Sequence, residues 1–265
     1  MNYTNDEKNL KNILSFYTFI FLVGCILTIY YFYIEYLTTH PVLLLTPLLL
    51  FILFIFSAMG AGGIRKNNTF IDLLNLSFIL IAVVAAIKYF KSSEDMRIIY
   101  GSYFIISLLF YIITLSVWRK AVISRFGLKE LSPTQALSYR ALAEVVIADY
   151  KAEGYSFDTI VKDFDFYPSR FQTLKKLPVK LVYLAVQYFP ILYFRLPLTW
   201  MGVEDRKEFI EKRFYKATGQ LLIIMRSAKQ LIYFKIICRK VHTQVSIQTS
   251  FQISSKNLSL MILYL

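Results

Sequence analysis

The sequence predicts an all-α membrane protein, in which four transmembrane helices precede a mostly helical cytoplasmic domain. Three observations predict this fold class. Hydrophobic residues make up 57% of the 265 residues and charged residues only 18%, whereas a soluble domain carries about a quarter charged residues. Four apolar runs in the first half are each long enough to cross a bilayer. The second half is richer in charge and shows the apolar periodicity of amphipathic helices.

The four predicted spans make up a transmembrane domain that we assign to residues 1–120. They cover residues 13–34, 41–62, 69–90 and 98–117. Three of the runs contain no charged residue, and the third carries only Asp72 near its start and Lys88 near its end. Since about 20 apolar residues cross the hydrocarbon core, all four qualify. The first run is too long for the apolar region of a signal peptide, so we expect it to stay in the mature protein.

The distribution of Lys and Arg around the spans predicts the orientation. Eight of these residues flank one side of the predicted bundle: Lys8, Lys11, Arg65, Lys66, Arg119, Lys120, Arg125 and Lys129. Three flank the other side: Lys88, Lys91 and Arg97. Because positively charged loops stay in the cytoplasm, we expect a multi-pass protein of the plasma (inner) membrane with both termini cytoplasmic.

The basic character of the chain belongs to its second half. Residues 119–265 hold 23 Lys and Arg against 11 Asp and Glu, a net charge of +12, whereas residues 1–118 hold seven against six. A basic segment at a membrane attracts anionic lipids by about 1 kcal/mol per residue. We therefore expect lipid-headgroup contacts from the four residues that follow the fourth span, Arg119, Lys120, Arg125 and Lys129. No stacking-aromatic or helix-turn-helix signature accompanies the charge, so nucleic acid is not an expected partner.

A helical cytoplasmic domain is predicted over residues 121–235. Ser132 is an N-cap candidate, Pro133 suits the first helical position, and Leu142, Val145, Val146 and Tyr150 form one apolar face. The uncharged segment Leu181–Phe194 has 14 residues and contains Pro190, so it is too short for a span and fits a buried or interfacial helix. We expect the carboxylates Asp163 and Asp165 to be solvated.

A further helix is predicted to start within the charged stretch Gly202–Phe214. From Ile210 onward, apolar residues recur at alternating steps of four and three residues, which is typical of a helix packed on a core. Glu204, Asp205 and Glu208 crowd its first turns, where the helix dipole favours negative charge.

Three segments of this domain carry a family resemblance: "RALAEVVI" (Arg140–Ile147), "FPILYFRLPLTWMGVEDRKEFIEKRF" and "MRSAKQLIYF" (Met225–Phe234). Through them, residues 131–235 resemble the helical module that precedes the flavin domain in long-chain alcohol oxidases of the glucose-methanol-choline (GMC) family. The same residues are similar to the small third subunit of gluconate dehydrogenases. The resemblance implies a membrane anchor or accessory of a flavoprotein alcohol oxidoreductase, with FAD on a partner.

The chain itself departs from a flavin-binding pattern. The nearest match to the G-x-G-x-x-G fingerprint is "GAGGIRK", in which Gly60 and Gly62 fit but Arg65 replaces the last glycine at the end of a span. The two cysteines and two histidines are scattered, so no metal site is predicted. We therefore assign no catalytic, cofactor-binding or metal-binding residue to this chain.

The last predicted region, residues 236–265, is an atypical tail rich in Ser and Gln. Val241–Ile253 alternates apolar and polar residues with the period of a strand. Three explanations stay open: the segment pairs with another chain, it frays, or it ends a truncated reading frame. Under the last explanation, the chain is the N-terminal part of a longer oxidoreductase.

Two other functions are kept beside the accessory hypothesis. The alternative is a non-enzymatic membrane protein whose basic cytoplasmic domain binds anionic lipid or a protein partner. A small transporter or channel is third, because Glu35 and Asp72 lie at span ends and no span carries a central charge.

The predicted topology can be tested by labelling single cysteines from outside intact cells. Cysteines placed at Ser156 and at Ser254, in a background that lacks Cys25 and Cys238, should both stay protected, because both termini and the second half are expected inside. The third single-cysteine variant of the series carries its cysteine at Ser102, near the start of the fourth span. Labelling at Ser254 without labelling at Ser156 would instead mean that Leu181–Phe194 crosses the membrane.

Overall fold

The computed structural model describes residues 3–35, 45–64, 68–147, 156–169, 173–214 and 216, together with the single positions 226, 228 and 232. Within these residues every regular element is helical. The chain divides into two compact units, residues 1–128 and 129–265. The predicted tail, with its strand-like alternation, lies outside the described residues.

The first unit contains four long apolar helices, as the sequence predicts. They are α1 (Asn5–Glu35), α2 (Leu45–Gly63), α3 (Thr69–Lys91) and α4 (Glu94–Phe126). All four are long and apolar enough to cross a membrane. These helices make the chain a membrane protein with four candidate spans.

Two of these helices are much longer than the apolar runs that predict them. The N terminus of α1 is fixed by a capping box, in which the Glu7 carboxylate accepts from the Thr4 N–H at 2.8 Å and Thr4 Oγ1 accepts from the Glu7 N–H at 3.2 Å. At the other end of the unit, α4 stops at Gly127, which has a φ of 63° and a backbone N–H that donates to the Ile123 carbonyl. With 33 residues, α4 is about 50 Å long, which exceeds the hydrocarbon core of about 30 Å.

The interior of the first unit is built on aromatic packing. Helix α1 packs against α2 and α4, and α3 packs against the same two helices. Four rings contributed by α1, α3 and α4 are in mutual contact, with centroids 4.8 to 6.3 Å apart: Tyr17, Phe21, Phe78 and Phe110. Between α1 and α2, Thr18 Oγ1 lies 3.1 Å from Ser57 Oγ.

The outer faces of the same helices expose large apolar side chains. Examples from three of the helices are Phe19, Ile26, Leu80, Val84, Ile105 and Leu109. In water this surface would be a large apolar patch, whereas in hydrocarbon it is the surface that a spanning helix needs.

The second unit is a set of shorter helices arranged around α5 (Pro133–Val146). The others are α6 (Phe157–Ser169), α7 (Thr173–Tyr188) and α8 (Val203–Phe209), the last continued by a π-helical turn, Ile210–Phe214. Two 3₁₀ turns, Phe189–Tyr193 and Leu198–Trp200, join α7 to α8. Helix α5 packs against α6, α7, α8 and the second 3₁₀ turn.

The start of α5 follows the sequence prediction. Ser132 is the N-cap, Pro133 occupies the first helical position, and the Ser132 and Gln135 side chains form a reciprocal capping box. The predicted apolar face is only partly buried, because Leu142 is buried whereas Val145 and Val146 are half-buried. The buried face centres instead on Tyr139, whose ring stacks on Phe164 at 4.1 Å and meets Tyr183 edge-on at 5.2 Å.

The segment Leu181–Phe194 is not a single helix. Helix α7 ends at Tyr188 and the chain continues as a 3₁₀ turn through Pro190, a residue that has no N–H to donate to an α-helical ladder. The first part of the segment belongs to the core, since Tyr183, Val186 and Phe189 are buried. The last part, Ile191–Phe194, is exposed.

The expectation that both carboxylates of "DFDF" are solvated is wrong. Asp163 is half-buried, but Asp165 is only 2% exposed. Its carboxylate accepts the N–H groups of Lys129 at 2.6 Å, Glu130 at 3.1 Å and Leu131 at 2.7 Å. The sequence offers no sign of this contact, because the three donors lie more than 30 residues upstream. Asp165 therefore fixes the backbone that leads into α5.

Replacing Asp165 with Asn should destabilise the second unit by about 2 to 4 kcal/mol, because the amide loses the charge-assisted bonds and turns an NH₂ group toward backbone donors. Thermal unfolding of the detergent-solubilised chain would show a lower midpoint. Glu204→Gln, at an exposed acidic position of α8, is the control and should leave the midpoint unchanged. An equal midpoint for Asp165→Asn would mean that the three backbone bonds contribute little.

Candidate functional site

The four residues expected to contact lipid headgroups are divided between the two units. Arg119, Lys120 and Arg125 lie in the last turns of α4, and Lys129 begins the second unit. The side chains of Arg119, Lys120 and Lys129 are exposed, whereas that of Arg125 is half-buried with its guanidinium 4.9 Å from the Phe126 ring centroid. Contact of these four residues with lipid headgroups stays a prediction.

The most constrained polar side chain of the second unit is Arg206, in α8. It is buried, and it donates to the Met201 carbonyl at 3.2 Å, to the Ala141 carbonyl at 3.1 Å and to the Glu144 carboxylate at 2.8 Å. A buried charge is tolerated only when it is paired and hydrogen-bonded. Arg206 therefore ties α8 to α5.

A second arginine extends this ion pair to α6. Arg140 contacts Glu144 at 3.0 Å within α5 and Asp158 of α6 at 3.0 Å. Glu144 consequently lies between two guanidinium groups, and the four charges link three helices.

A neutral polar contact joins α5, α7 and the second 3₁₀ turn through Gln187. Its side-chain oxygen accepts from Ser138 Oγ at 3.0 Å and from the Thr199 N–H at 3.3 Å, and its amide nitrogen donates to Thr199 Oγ1 at 2.6 Å. Gln187 is buried, so these bonds replace the water that its amide would otherwise need.

The core tyrosines are held in the neutral form. Burial raises the pKa of the Tyr139 phenol well above its ordinary value, and the Asp163 carboxylate adds to the rise. Burial also raises the pKa of Tyr183, whose hydroxyl donates to the Ala228 carbonyl at 3.5 Å. Among the described residues, the Tyr139 hydroxyl has no hydrogen-bond partner.

A cleft of about 550 Å³ lies between the α7–α8 connection and α8. Its lining is mixed: apolar and aromatic side chains alternate with five charged ones, Arg195, Asp205, Glu208, Lys212 and Arg213. Lys212 contacts Glu208 at 2.8 Å, and this hydrogen bond lowers the pKa of the Glu208 carboxyl. The Arg213 guanidinium lies over the Tyr193 ring, 5.3 Å from its centroid.

The cleft combines charged and aromatic surface. Within the described ranges no group of three His, Cys, Asp or Glu side chains could hold a metal ion. The "GAGG" stretch lies in the last turn of helix α2, where it does not form the strand-to-helix turn that cradles a pyrophosphate.

The burial of Arg206 was not predictable from the apolar stripe that begins at Ile210. Continued back by its alternating steps, the stripe reaches position 207, and Lys207 is exposed. Gln187 also carried no signal in the sequence, because its partners are set by the bend after α7.

Comparisons with known proteins do not assign the chain to a family. No family model matches the chain, and no curated protein or solved structure matches it significantly. Over the described part of the chain, the fold defines a helical membrane protein with four candidate spans and a second, helical unit.

Replacing Arg206 with Met should lower the stability of the second unit by about 1 to 3 kcal/mol, because two carbonyls and one carboxylate oxygen lose a donor. The neighbouring Lys207 is exposed, so Lys207→Met removes the same charge from the same helix without removing a buried contact. Thermal midpoints of the two variants in detergent should therefore differ, with only Arg206→Met lowered. Equal midpoints would contradict a structural role for Arg206.

Proposed function

We propose that the chain is the membrane anchor or accessory of a flavoprotein alcohol oxidoreductase, or the N-terminal part of one, and does not bind flavin by itself. The first unit supplies the attachment to the membrane. The second unit supplies the surface on which a flavin-bearing partner docks.

One observation supports the proposal most directly: the three segments that resemble the GMC module belong to one core. Arg206, in the charged segment, donates to Ala141 and Glu144 of "RALAEVVI". From the third segment, Ala228 and Ile232 are completely buried, and the Ala228 carbonyl accepts from Tyr183. The first two segments are therefore in direct contact, and the third joins the same core through Tyr183 of α7, an arrangement that is expected of segments from one module.

The proposal includes an orientation. The eight Lys and Arg residues on one side of the spans favour a cytoplasmic location for both termini and for the second unit. A protein of the plasma (inner) membrane with this topology presents the second unit to cytoplasmic flavoproteins and to the anionic inner leaflet.

The alternative function is a non-enzymatic membrane protein whose basic domain binds anionic lipid or a protein partner. Its support is the exposure of Arg119 and Lys120 beyond the apolar part of α4 and the net charge of +12 over residues 119–265. It requires no flavoprotein, so the same experiment separates the two functions.

The test is affinity purification of the tagged full chain from its native membranes in mild detergent. The eluate should contain flavin, released by acid and identified as FAD. Stripping partner proteins with a stronger detergent should leave the chain free of flavin. Arg206→Met should reduce the co-purified flavin by weakening the second unit, and the matched Lys207→Met should not.

Two outcomes would contradict the proposal. Flavin that stays with the stripped chain would show that the chain binds FAD itself. An eluate without any flavin, from membranes in which the chain is intact, would favour the non-enzymatic alternative.

A further inference from the structure

The connection between α7 and α8 exposes an apolar segment that the fold of the second unit does not require. In Ile191–Leu196, "ILYFRL", the residues Ile191, Leu192, Tyr193, Phe194 and Leu196 are all exposed. Phe194 is 101% exposed and Leu192 68%. Single exposed apolar side chains are ordinary on a surface, but five within six residues form a continuous patch.

The patch is held in shape by hydrogen bonds. Phe194 has a φ of 55°, in the left-handed region that an aromatic residue rarely adopts. Its N–H donates to the Ile191 carbonyl at 3.0 Å, and the Arg195 N–H donates to the Pro190 carbonyl at 3.1 Å. The turn therefore holds the Phe194 ring in solvent, in an uncommon backbone conformation that is fixed by neighbouring contacts.

The base of the turn is anchored in the core. The buried Phe189 ring lies 5.3 Å from Tyr193 and 5.8 Å from Phe209, and Tyr193 lies 5.9 Å from Phe209. Since these three rings fix the turn to α8, the exposed tip cannot be explained as a frayed end.

Charged side chains of both signs border the tip. Arg195 follows Phe194 directly, and Arg213 lies over the Tyr193 ring. The carboxylates of Asp205 and Glu208 line the cleft beside them. Aromatic and aliphatic side chains next to Arg are the composition of segments that lie in the interface of a bilayer, where the apolar part enters the acyl region and the cation meets the phosphates.

The candidate spans also favour a bilayer as the apolar phase that this segment contacts. The four candidate spans precede the second unit in the same polypeptide. Tethering converts contact with the membrane into an intramolecular event with a high effective concentration. A short apolar segment is then sufficient for membrane contact, because the spans already hold the protein at the membrane.

We propose that Ile191–Leu196 inserts into the interface of the bilayer, with Phe194 as the deepest side chain and Arg195 and Arg213 at the level of anionic lipid phosphates. The contact adds a fifth, non-spanning attachment to the membrane. It is independent of the flavoprotein proposal, because it needs only lipid.

The test places an environment-sensitive fluorophore on a cysteine at position 194 of the full chain, in a Cys25→Ala, Cys238→Ala background. The matched control is a cysteine at Phe166, an exposed aromatic residue of α6 in the same unit. Both proteins are reconstituted into vesicles of phosphatidylcholine and phosphatidylglycerol. The fluorophore at 194 should shift to shorter wavelength and lose emission to lipids that carry a quencher near the headgroup. The fluorophore at 166 should lose emission only to aqueous iodide.

A second pair of variants tests the role of Phe194 itself. With the fluorophore on a cysteine at Leu192, Phe194→Asp should abolish quenching by lipid, whereas Val203→Asp, at an exposed apolar position of α8, should not. Because Phe194 is fully exposed, its replacement should leave the thermal midpoint in detergent unchanged, which separates loss of insertion from loss of folding.

Three outcomes would overturn the proposal. Equal quenching by iodide at 194 and 166 would place the tip in water. A spectral shift that grows with the protein-to-lipid ratio would assign the tip to a second copy of the chain. A shift in native membranes that is absent from the purified vesicles would assign it to a protein partner.

Discussion

Polar groups removed from water are costly unless they are hydrogen-bonded, and the two units satisfy most of theirs in different ways; the buried Tyr139 hydroxyl is an exception among the described residues. In the first unit the backbone is satisfied within long helices, and several hydroxyl groups turn back onto their own helix, as Thr18 does onto Leu14 and Thr114 onto Phe110. In the second unit, buried polar groups are satisfied by hydrogen bonds between residues that are far apart in sequence. Asp165 accepts from the backbone that precedes α5, Arg206 of α8 donates to Glu144 of α5, and Gln187 of α7 accepts from Ser138 of α5.

This difference explains how much of the fold could be predicted from the sequence. A spanning helix is specified locally, by length and by the absence of charge, so all four apolar helices were predictable. The start of α5 was predictable for the same reason, because Ser132, Pro133 and Gln135 act within one turn. The full lengths of α1 and α4 were not, since hydropathy detects only the part of a helix that would lie in hydrocarbon.

The remaining features depend on contacts that no local pattern encodes. A carboxylate in "DFDF" looks solvated until the three backbone amides that surround Asp165 are known. Likewise, an uncharged run of 14 residues looks like one helix, although Pro190 divides it into a buried part and an exposed tip. No sequence pattern indicated the cleft beside α8, because its lining comes from the α7–α8 connection, from α8 and from the π-helical turn that follows it.

The arrangement around Glu144 also constrains the order in which this core can change during evolution. Glu144 pairs with both Arg140 and Arg206. If position 206 mutates first to an apolar residue, Glu144 retains Arg140 as a counter-ion. If position 144 mutates first, Arg206 is left buried with two carbonyl oxygens and no counter-ion, a state that is strongly unfavourable. Divergent descendants of this chain should therefore lose the charge at 206 before the charge at 144, and the reverse order should be purged by selection.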